Sequence, residues 1–315
     1  MNQDPNVVPE RSLARSPGLM LTLALALLPS AFLAGTPDVN AQEPSQPTPG
    51  QQVVLVTGST SGLGREVALR LGAMGWHVIV HGRNQERGIE VVDEINSQGP
   101  GNARFYRADL ASFDQTREFG ESLLRDYERM DVLVNNAGFG SAPNERLVSE
   151  DGHEFRFQVN YLSTFLLTHM LMPRLHSSQP SRIVNVSSLA QSPIDFDDVM
   201  IENNFSGGRA YGQSKLAQIM FTFDLDEELD DTDIMVNSLH PATYMPTGMV
   251  LRAGAQPRST IDEGADAVMQ LVVSDEIEGG QFFRGLVPAQ ANAQAYDMQA
   301  RASLKALSRE LTGIR

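Results

Sequence analysis

Val53-Val54-Leu55-Val56-Thr57 runs without a break into Gly58-Ser59-Thr60-Ser61-Gly62-Leu63-Gly64, and a helical pattern then covers Leu63 to Met74. A short run of branched apolar residues suits a strand buried on both faces. Such a strand needs covering layers above and below it. The glycines then constrain the turn. Gly58 can take the positive φ of a tight turn. Gly62 lets the backbone approach a pyrophosphate, and Gly64 lets the helix pack closely on the sheet. The helix start offers free N–H groups and a favourable dipole to an anion. Gly58, Ser59, Ser61, Gly62, Leu63 and Gly64 are therefore candidate contacts for a diphosphate. No Lys-Ser/Thr pair follows the last glycine, which separates this turn from a nucleoside-triphosphate P-loop.

The alternation continues along the chain. His77 to His81 reads as a second strand, followed by a helix from Gln85 to Ser97. Ala103 to Arg107 is a third strand and Phe113 to Tyr127 the next helix. Val132 to Asn135 is a fourth strand, and a long helical stretch covers Ser149 to Leu175. Arg182 to Val186 is a fifth strand, Tyr211 to Leu229 a helix, and Ile234 to Leu239 a sixth strand. Ile261 to Val273 is helical, Gln281 to Phe283 is a seventh strand, and Ala291 to Leu311 a terminal helix. Repeated strand–helix units predict one α/β domain, a doubly wound parallel sheet with helices on both faces. No internal repeat or second domain is visible.

The first fifty residues differ. Arg11 and Arg15 precede an apolar run from Leu19 to Ala34, and a Pro-rich polar stretch follows from Thr36 to Gly50. Basic flank, short apolar core and the small residues near Ala41 predict a secretory signal peptide with cleavage after Ala41. The run is short for a membrane span and holds Pro29, so no stable span is expected. Residues 1–50 are thus read as leader plus linker, and residues 51–315 as the domain. Export or membrane association is the predicted localisation, with a cytoplasmic protein as the alternative. The formal charge of −15 disfavours nucleic acid and anionic membrane surfaces as partners. Absence of cysteine excludes disulfides, a thiolate nucleophile and Cys-type zinc sites. Six scattered histidines form no ligand motif, so no metal is expected.

The chemistry concentrates after the fifth strand. Tyr211 and Lys215 are four apart and share one helix face. A phenol is a poor acid/base near neutrality, with a pKa of about 10. A neighbouring ammonium favours phenolate and is expected to lower that value. Tyr211 could then exchange a proton with an alcohol or carbonyl. Ser188 lies at the carboxyl end of the fifth strand, where its hydroxyl could bond a substrate oxygen; Ser187 competes for the role. Asn135-Asn136-Ala137-Gly138 closes the fourth strand.

These motifs, in this order, resemble the short-chain dehydrogenase/reductase family. The likeness runs from about Val53 to Thr247. Arg182-Ile183-Val184-Asn185-Val186-Ser187-Ser188-Leu189-Ala190 and Ser238-Leu239-His240-Pro241 look most like its retinol-dehydrogenase branch. The resemblance implies a Rossmann-type fold and a catalytic tetrad of Asn160, Ser188, Tyr211 and Lys215. Within it, Asn160 would hold a water reaching Lys215. It also implies cofactor contacts at Asn136, Ala137 and Gly138, at Asp109 and Leu110 beside the adenine, and at Pro241 and Thr247. Dimers or tetramers are common in the family. Where its members usually carry Pro-Gly, this chain has Pro241-Ala242.

No acidic residue ends the second strand, as would suit NAD. Arg83 stands there and can pair with a 2′-phosphate, and Arg65 could reinforce it. NADP(H) is the expected cofactor, with NAD(H) as the alternative. Leu189 to Ala210 is a long insertion beside the site. Tyr244 to Ser259, with Met245, Met249, Val250 and Leu251, reads either as an apolar lid or as core. The predicted reaction is hydride transfer between NADP(H) and a small, apolar alcohol, aldehyde or ketone. Rival readings are an NAD-dependent sugar or polyol dehydrogenase, and a non-catalytic NADP-binding redox sensor.

Overall fold

The computed structural model describes residues 45–314. Strands β1 (Val53–Val56), β2 (His77–Gly82), β3 (Asn102–Arg107), β4 (Val132–Asn135), β5 (Ser181–Val186), β6 (Ile234–His240), β7 (Gln281–Arg284) and β8 (Val287–Pro288) form one sheet. Their order is β3-β2-β1-β4-β5-β6-β7-β8. Every pairing is parallel except β7 with β8. The order reverses between β1 and β4, which is where α/β sheets open a ligand crevice at the carboxyl ends of their strands.

Side-chain alternation divides the core in two. Val53, Leu55, Ile79, Leu133, Ile183 and Val236 face one layer. Val54, Val56, Val78, Val80, Val134 and Val184 face the other. Helices α1 (Gly62–Ala73), α2 (Gln85–Gln98) and α8 (Ile261–Val273) cover the second of these faces. Helices α3 (Phe113–Asp126), α5 (Ser163–His176), α6 (Gly207–Glu228) and α9 (Met298–Thr312) cover the first. Between α5 and β4 stand a short α4 (Phe155–Phe157) and a π-helical turn, Gln158–Leu162. The remaining helix, α7 (Gly248–Arg252), lies in the loop after β6.

Three helix starts and one small strand depart from the sequence reading. The long helix begins at Phe155, because Glu154 caps it by accepting the Phe157 N–H and Val148 bridges Glu154. Helix α6 starts one turn before Tyr211, capped by Ser206. The terminal helix starts at Met298 behind an Asp297 cap; Ala293–Tyr296 is a separate 3₁₀ turn. The small strand β8 carried no periodicity long enough to detect. The signal-peptide reading falls on residues outside those described, up to residue 44. Ser45 and Gln46 already bond to the β3 backbone and to Asn102.

Candidate active site

The glycine turn joins β1 to α1. Gly58 and Gly62 have φ of 65° and 57°, a region that strains any residue with a Cβ. A Cβ on Gly64 would lie 2.3 Å from Asn136 Nδ2 and 2.6 Å from the Gly58 carbonyl, so the helix can approach the turn only with glycine there. Ser61 caps α1 by position but not through its side chain, and no acidic residue stands in the first turn. The start of α1 is therefore electrostatically open to an anion, and these residues fit a diphosphate. Ser59 is buried and its hydroxyl accepts the His81 N–H at 3.0 Å. Leu63 is buried beneath the turn, in the same cluster as Met245.

The β4 end is tied to that turn. Asn136 Nδ2 donates to the Thr57 and Gly58 carbonyls at 2.8 and 3.3 Å. The Thr57 hydroxyl accepts N–H bonds from Asn136 and Ala137 at 2.9 and 3.0 Å. Asn136 thus braces the crevice floor, while Gly138 is exposed beside it.

At the carboxyl end of β5 the two serines separate. The Ser187 hydroxyl donates to the Lys215 carbonyl at 2.7 Å, which turns it into helix α6. The Ser188 hydroxyl instead neighbours the Tyr211 phenol and pulls its pKa down, against burial, which pushes it up more strongly. The phenol is therefore raised on balance in the free protein. This differs from the expectation that Lys215 would lower it: burial outweighs the Ser188 hydrogen bond at the phenol, and burial also lowers the Lys215 pKa. Its pKa is pushed down to about 7 with no carboxylate to oppose the shift. Lys215 Nζ lies 5.8 Å from the Tyr211 ring centre. It donates to the Val186 carbonyl at 2.8 Å and to Gln218 Oε1 at 2.7 Å.

Asn160 sits in the π-helical turn, a form of helix common at functional sites. Its Oδ1 accepts the Phe139 N–H at 2.6 Å, and its Nδ2 donates to Ser214 Oγ at 2.8 Å. A Cβ built on Gly138 would lie 3.4 Å from Asn160 Oδ1 and 3.5 Å from Lys215 Nζ. Asn160, Gly138, Ser188, Tyr211 and Lys215 thus share one corner at the strand ends.

A family profile for short chain dehydrogenases matches residues 52–257. The chain belongs to that family. Retinol dehydrogenase 13 of Mus musculus is 35% identical over 292 residues, covering 86% of this chain and 86% of its own length. Retinol dehydrogenase 11 of Homo sapiens is 32% identical over 317 residues, covering 94% and 98% respectively. Among solved structures, a protein from Mycobacterium paratuberculosis has a TM-score of 0.71 at 29% identity, covering 85% of this chain and 95% of its own. The Pseudomonas aeruginosa RhlG/NADP active-site complex has a TM-score of 0.59 at 26% identity, covering 74% and 94%. As a short-chain dehydrogenase, the protein is an NAD(P)-dependent oxidoreductase of small-molecule substrates. Among its described residues, no helix is long and apolar enough to cross a membrane.

Just after β2, Arg83 is exposed and pairs with Asp109 at 3.3 Å. Asp109 also accepts the Ala111 N–H, while Ser112 caps α3. Leu110 is buried against Ala111 and Val159. Arg65 does not join Arg83: it is held by Glu94. Past β6, Pro241 is buried, and the positive φ in the loop falls on Tyr244, at 52°, rather than on Ala242. Thr247 Cγ2 would stand 3.2 Å from a Cβ on Gly62, which places Thr247 over the glycine turn. The segment from Tyr244 to Ser259, read as lid or core, is divided between the two. Met245 is buried in the core, Met249 lies against Gly138 and Gly140, and Leu251 is exposed.

Several residues that shape the site were not singled out from sequence. Gln218 holds Lys215, and the signal was available as an amide three residues on, on the same helix face as Tyr211 and Lys215. Gln191 ties the Ser188 carbonyl to the Asn292 N–H, at 2.9 and 2.6 Å; nothing local announces a partner a hundred residues away. Arg156 is fully buried with Glu154 at 3.1 Å and donates to the Gly140 and Ser141 carbonyls. It fixes the loop after β4 that walls the crevice.

Proposed function

We propose that this dehydrogenase interconverts a small, apolar alcohol with its aldehyde or ketone, using NADP(H), with Tyr211 as the general acid/base. The observation that carries the reading is the convergence of Ser188, Tyr211 and Lys215 beside an uncapped, glycine-lined helix start. NADP(H) is supported by Arg83 at the end of β2, with no acidic residue in its place, since a guanidinium pairs well with a 2′-phosphate. The solved RhlG complex with NADP is consistent with that preference. An apolar substrate is supported by Phe139 and Met249 beside Gly138 and Gly140, and by relatives named as retinol dehydrogenases. Residues 1–50 are read as leader and linker, giving an exported or membrane-associated enzyme; N-terminal sequencing of the native protein tests this.

When bound, the nicotinamide supplies or accepts the hydride. The glycine turn and the start of α1 would hold the cofactor's diphosphate, and Thr247 and Pro241 would contact its nicotinamide end. Ser188 bonds the substrate oxygen as charge grows on it. In reduction, Tyr211 gives its proton to that oxygen, and its raised pKa keeps it protonated until it does. In oxidation, Tyr211 must lose that proton. A charged Lys215, with its Nζ 5.8 Å from the ring centre, would favour the phenolate that this step needs. Asn160 keeps the Phe139 backbone and Ser214 in place around them.

The test is Tyr211→Phe. It should retain NADPH binding and lose turnover by about a hundredfold or more, the usual scale of general acid–base catalysis. Wild-type kcat in this variant, measured with a panel of apolar aldehydes and ketones, would sink the mechanism.

A further inference from the structure

Near the end of strand β2 stands His81, a residue the catalytic reading leaves unused. Three hydrogen bonds join it to the first two residues of the glycine turn. The Gly58 N–H donates to His81 Nδ1 at 3.1 Å. The Ser59 N–H donates to the His81 carbonyl at 2.9 Å, and the His81 N–H donates to Ser59 Oγ at 3.0 Å. His81 and Ser59 are buried and Gly58 is partly buried, so water replaces a lost bond poorly there. The imidazole is fixed by stacking on Phe119, with ring centres 4.6 Å apart.

An imidazole nitrogen accepts a hydrogen bond only when it carries no proton. Burial holds the His81 pKa down to about 4; among the charged neighbours, Asp109 raises it and Arg83 lowers it. The neutral ring therefore prevails near physiological pH, with its proton on Nε2. That nitrogen lies near the Ala108 backbone but reaches no acceptor at good hydrogen-bonding geometry. The ring's one well-formed hydrogen bond is thus the one to Gly58. Gly58 also has little room to move, since a Cβ there would come within 2.9 Å of the Ala137 backbone. Its left-handed conformation sets the direction in which the N–H groups of the following turn point.

We propose that His81 is a positioning residue for cofactor binding, its Nδ1 holding the Gly58 N–H and so fixing the turn that receives the diphosphate. The inference rests on reading that turn as the cofactor cradle. His81→Leu removes the acceptor at similar volume. His81→Asn restores one, because Asn Oδ1 can stand where Nδ1 stood. NADP⁺ is titrated calorimetrically into wild type and both variants, and melting temperatures are recorded alongside. We expect Kd for NADP⁺ to rise about tenfold in His81→Leu, the scale of one buried hydrogen bond, and to return to within about threefold of wild type in His81→Asn. The Michaelis constant for the cofactor should move more than kcat. A purely structural role would lower the melting temperature and leave the Kd of the folded protein unchanged; that result overturns the proposal. So does a His81→Asn variant as weak as His81→Leu. If His81→Leu does not fold, Ser59→Ala removes the second bond of the strap and should weaken NADP⁺ several-fold; unchanged binding there also overturns it. Failure of wild type to bind NADP⁺ would instead refute the cradle reading itself.

Discussion

Replacing Gln218 by leucine isolates the group that keeps Lys215 charged. Gln218 is fully buried; its Oε1 accepts from Lys215 Nζ at 2.7 Å, and its Nε2 finds no partner. Removing the amide therefore removes an unsatisfied donor together with the acceptor, and the packing cost should be small. The Gln218 backbone carbonyl, which accepts the Thr222 hydroxyl at 2.8 Å, is untouched. Lys215 is left with the Val186 carbonyl alone. A hydrogen bond to a charged group contributes about 1.5–3 kcal/mol, and about 1.4 kcal/mol is a factor of ten in protonation. With the wild-type lysine already pushed down to about 7 by burial, losing that bond should lower the charged fraction at neutral pH by about tenfold. If Tyr211 needs that charge, kcat for alcohol oxidation at pH 7 should fall by a similar, roughly tenfold, factor. Melting temperature should move only a few degrees. The assay is kcat against pH from about 6 to 9, with Gln218→Glu as the converse, since a carboxylate favours the ammonium and should move the profile the other way. A Gln218→Leu profile that superimposes on wild type, in a folded protein, would refute the pairing of Lys215 with Tyr211.

Arg83→Ala should weaken NADPH about tenfold or more, from the loss of a charge-assisted contact, and leave NADH nearly unchanged; equal losses for both cofactors would remove the 2′-phosphate role. Ser188→Ala should cost about a hundredfold in kcat, on the scale of one oxyanion donor. Ser187→Ala should cost mainly stability, about 1 kcal/mol for its bond to the Lys215 carbonyl; the reverse pattern would exchange the two serines. Stability should decline in acid. Burial holds His77 and His81 down to about 4, so the unfolded chain takes up protons that the folded one refuses. Their stability is complete above about pH 6.5 and is lost as the pH falls from there toward about 4, by about 3 kcal/mol each at most. Glu154, Asp224 and Asp226, raised by burial, offset part of this. A melting temperature that is flat from pH 7.5 to 5 would contradict it.

The sheet and the chemistry were legible for local reasons. Branched apolar runs such as Val53–Val56 can be satisfied only between two layers, and glycines at 58, 62 and 64 admit only a tight turn against a helix. Tyr211 and Lys215 declare a common face by their spacing alone. Helix ends were less legible, because a cap is decided by one hydrogen bond. Glu154 rather than Ser149 starts the helix before Asn160, and Asp297 rather than Ala291 starts the last one.

The sequence by itself determined the order of strand and helix, the glycine turn, and which side chains carry acid–base chemistry. It did so through periodicity and backbone freedom, which are properties of neighbours in the chain. Tertiary structure decided everything that depends on burial and on distant partners. It turned Ser187 into helix α6 and left Ser188 with the phenol. It lowered the Lys215 pKa by desolvation, engaged Arg65 with Glu94 away from Arg83, and buried Met245 while leaving Leu251 exposed. It also set His81 beneath Gly58. Charge state and hydrogen-bond partner are set by what surrounds a group in space, and a linear pattern carries neither.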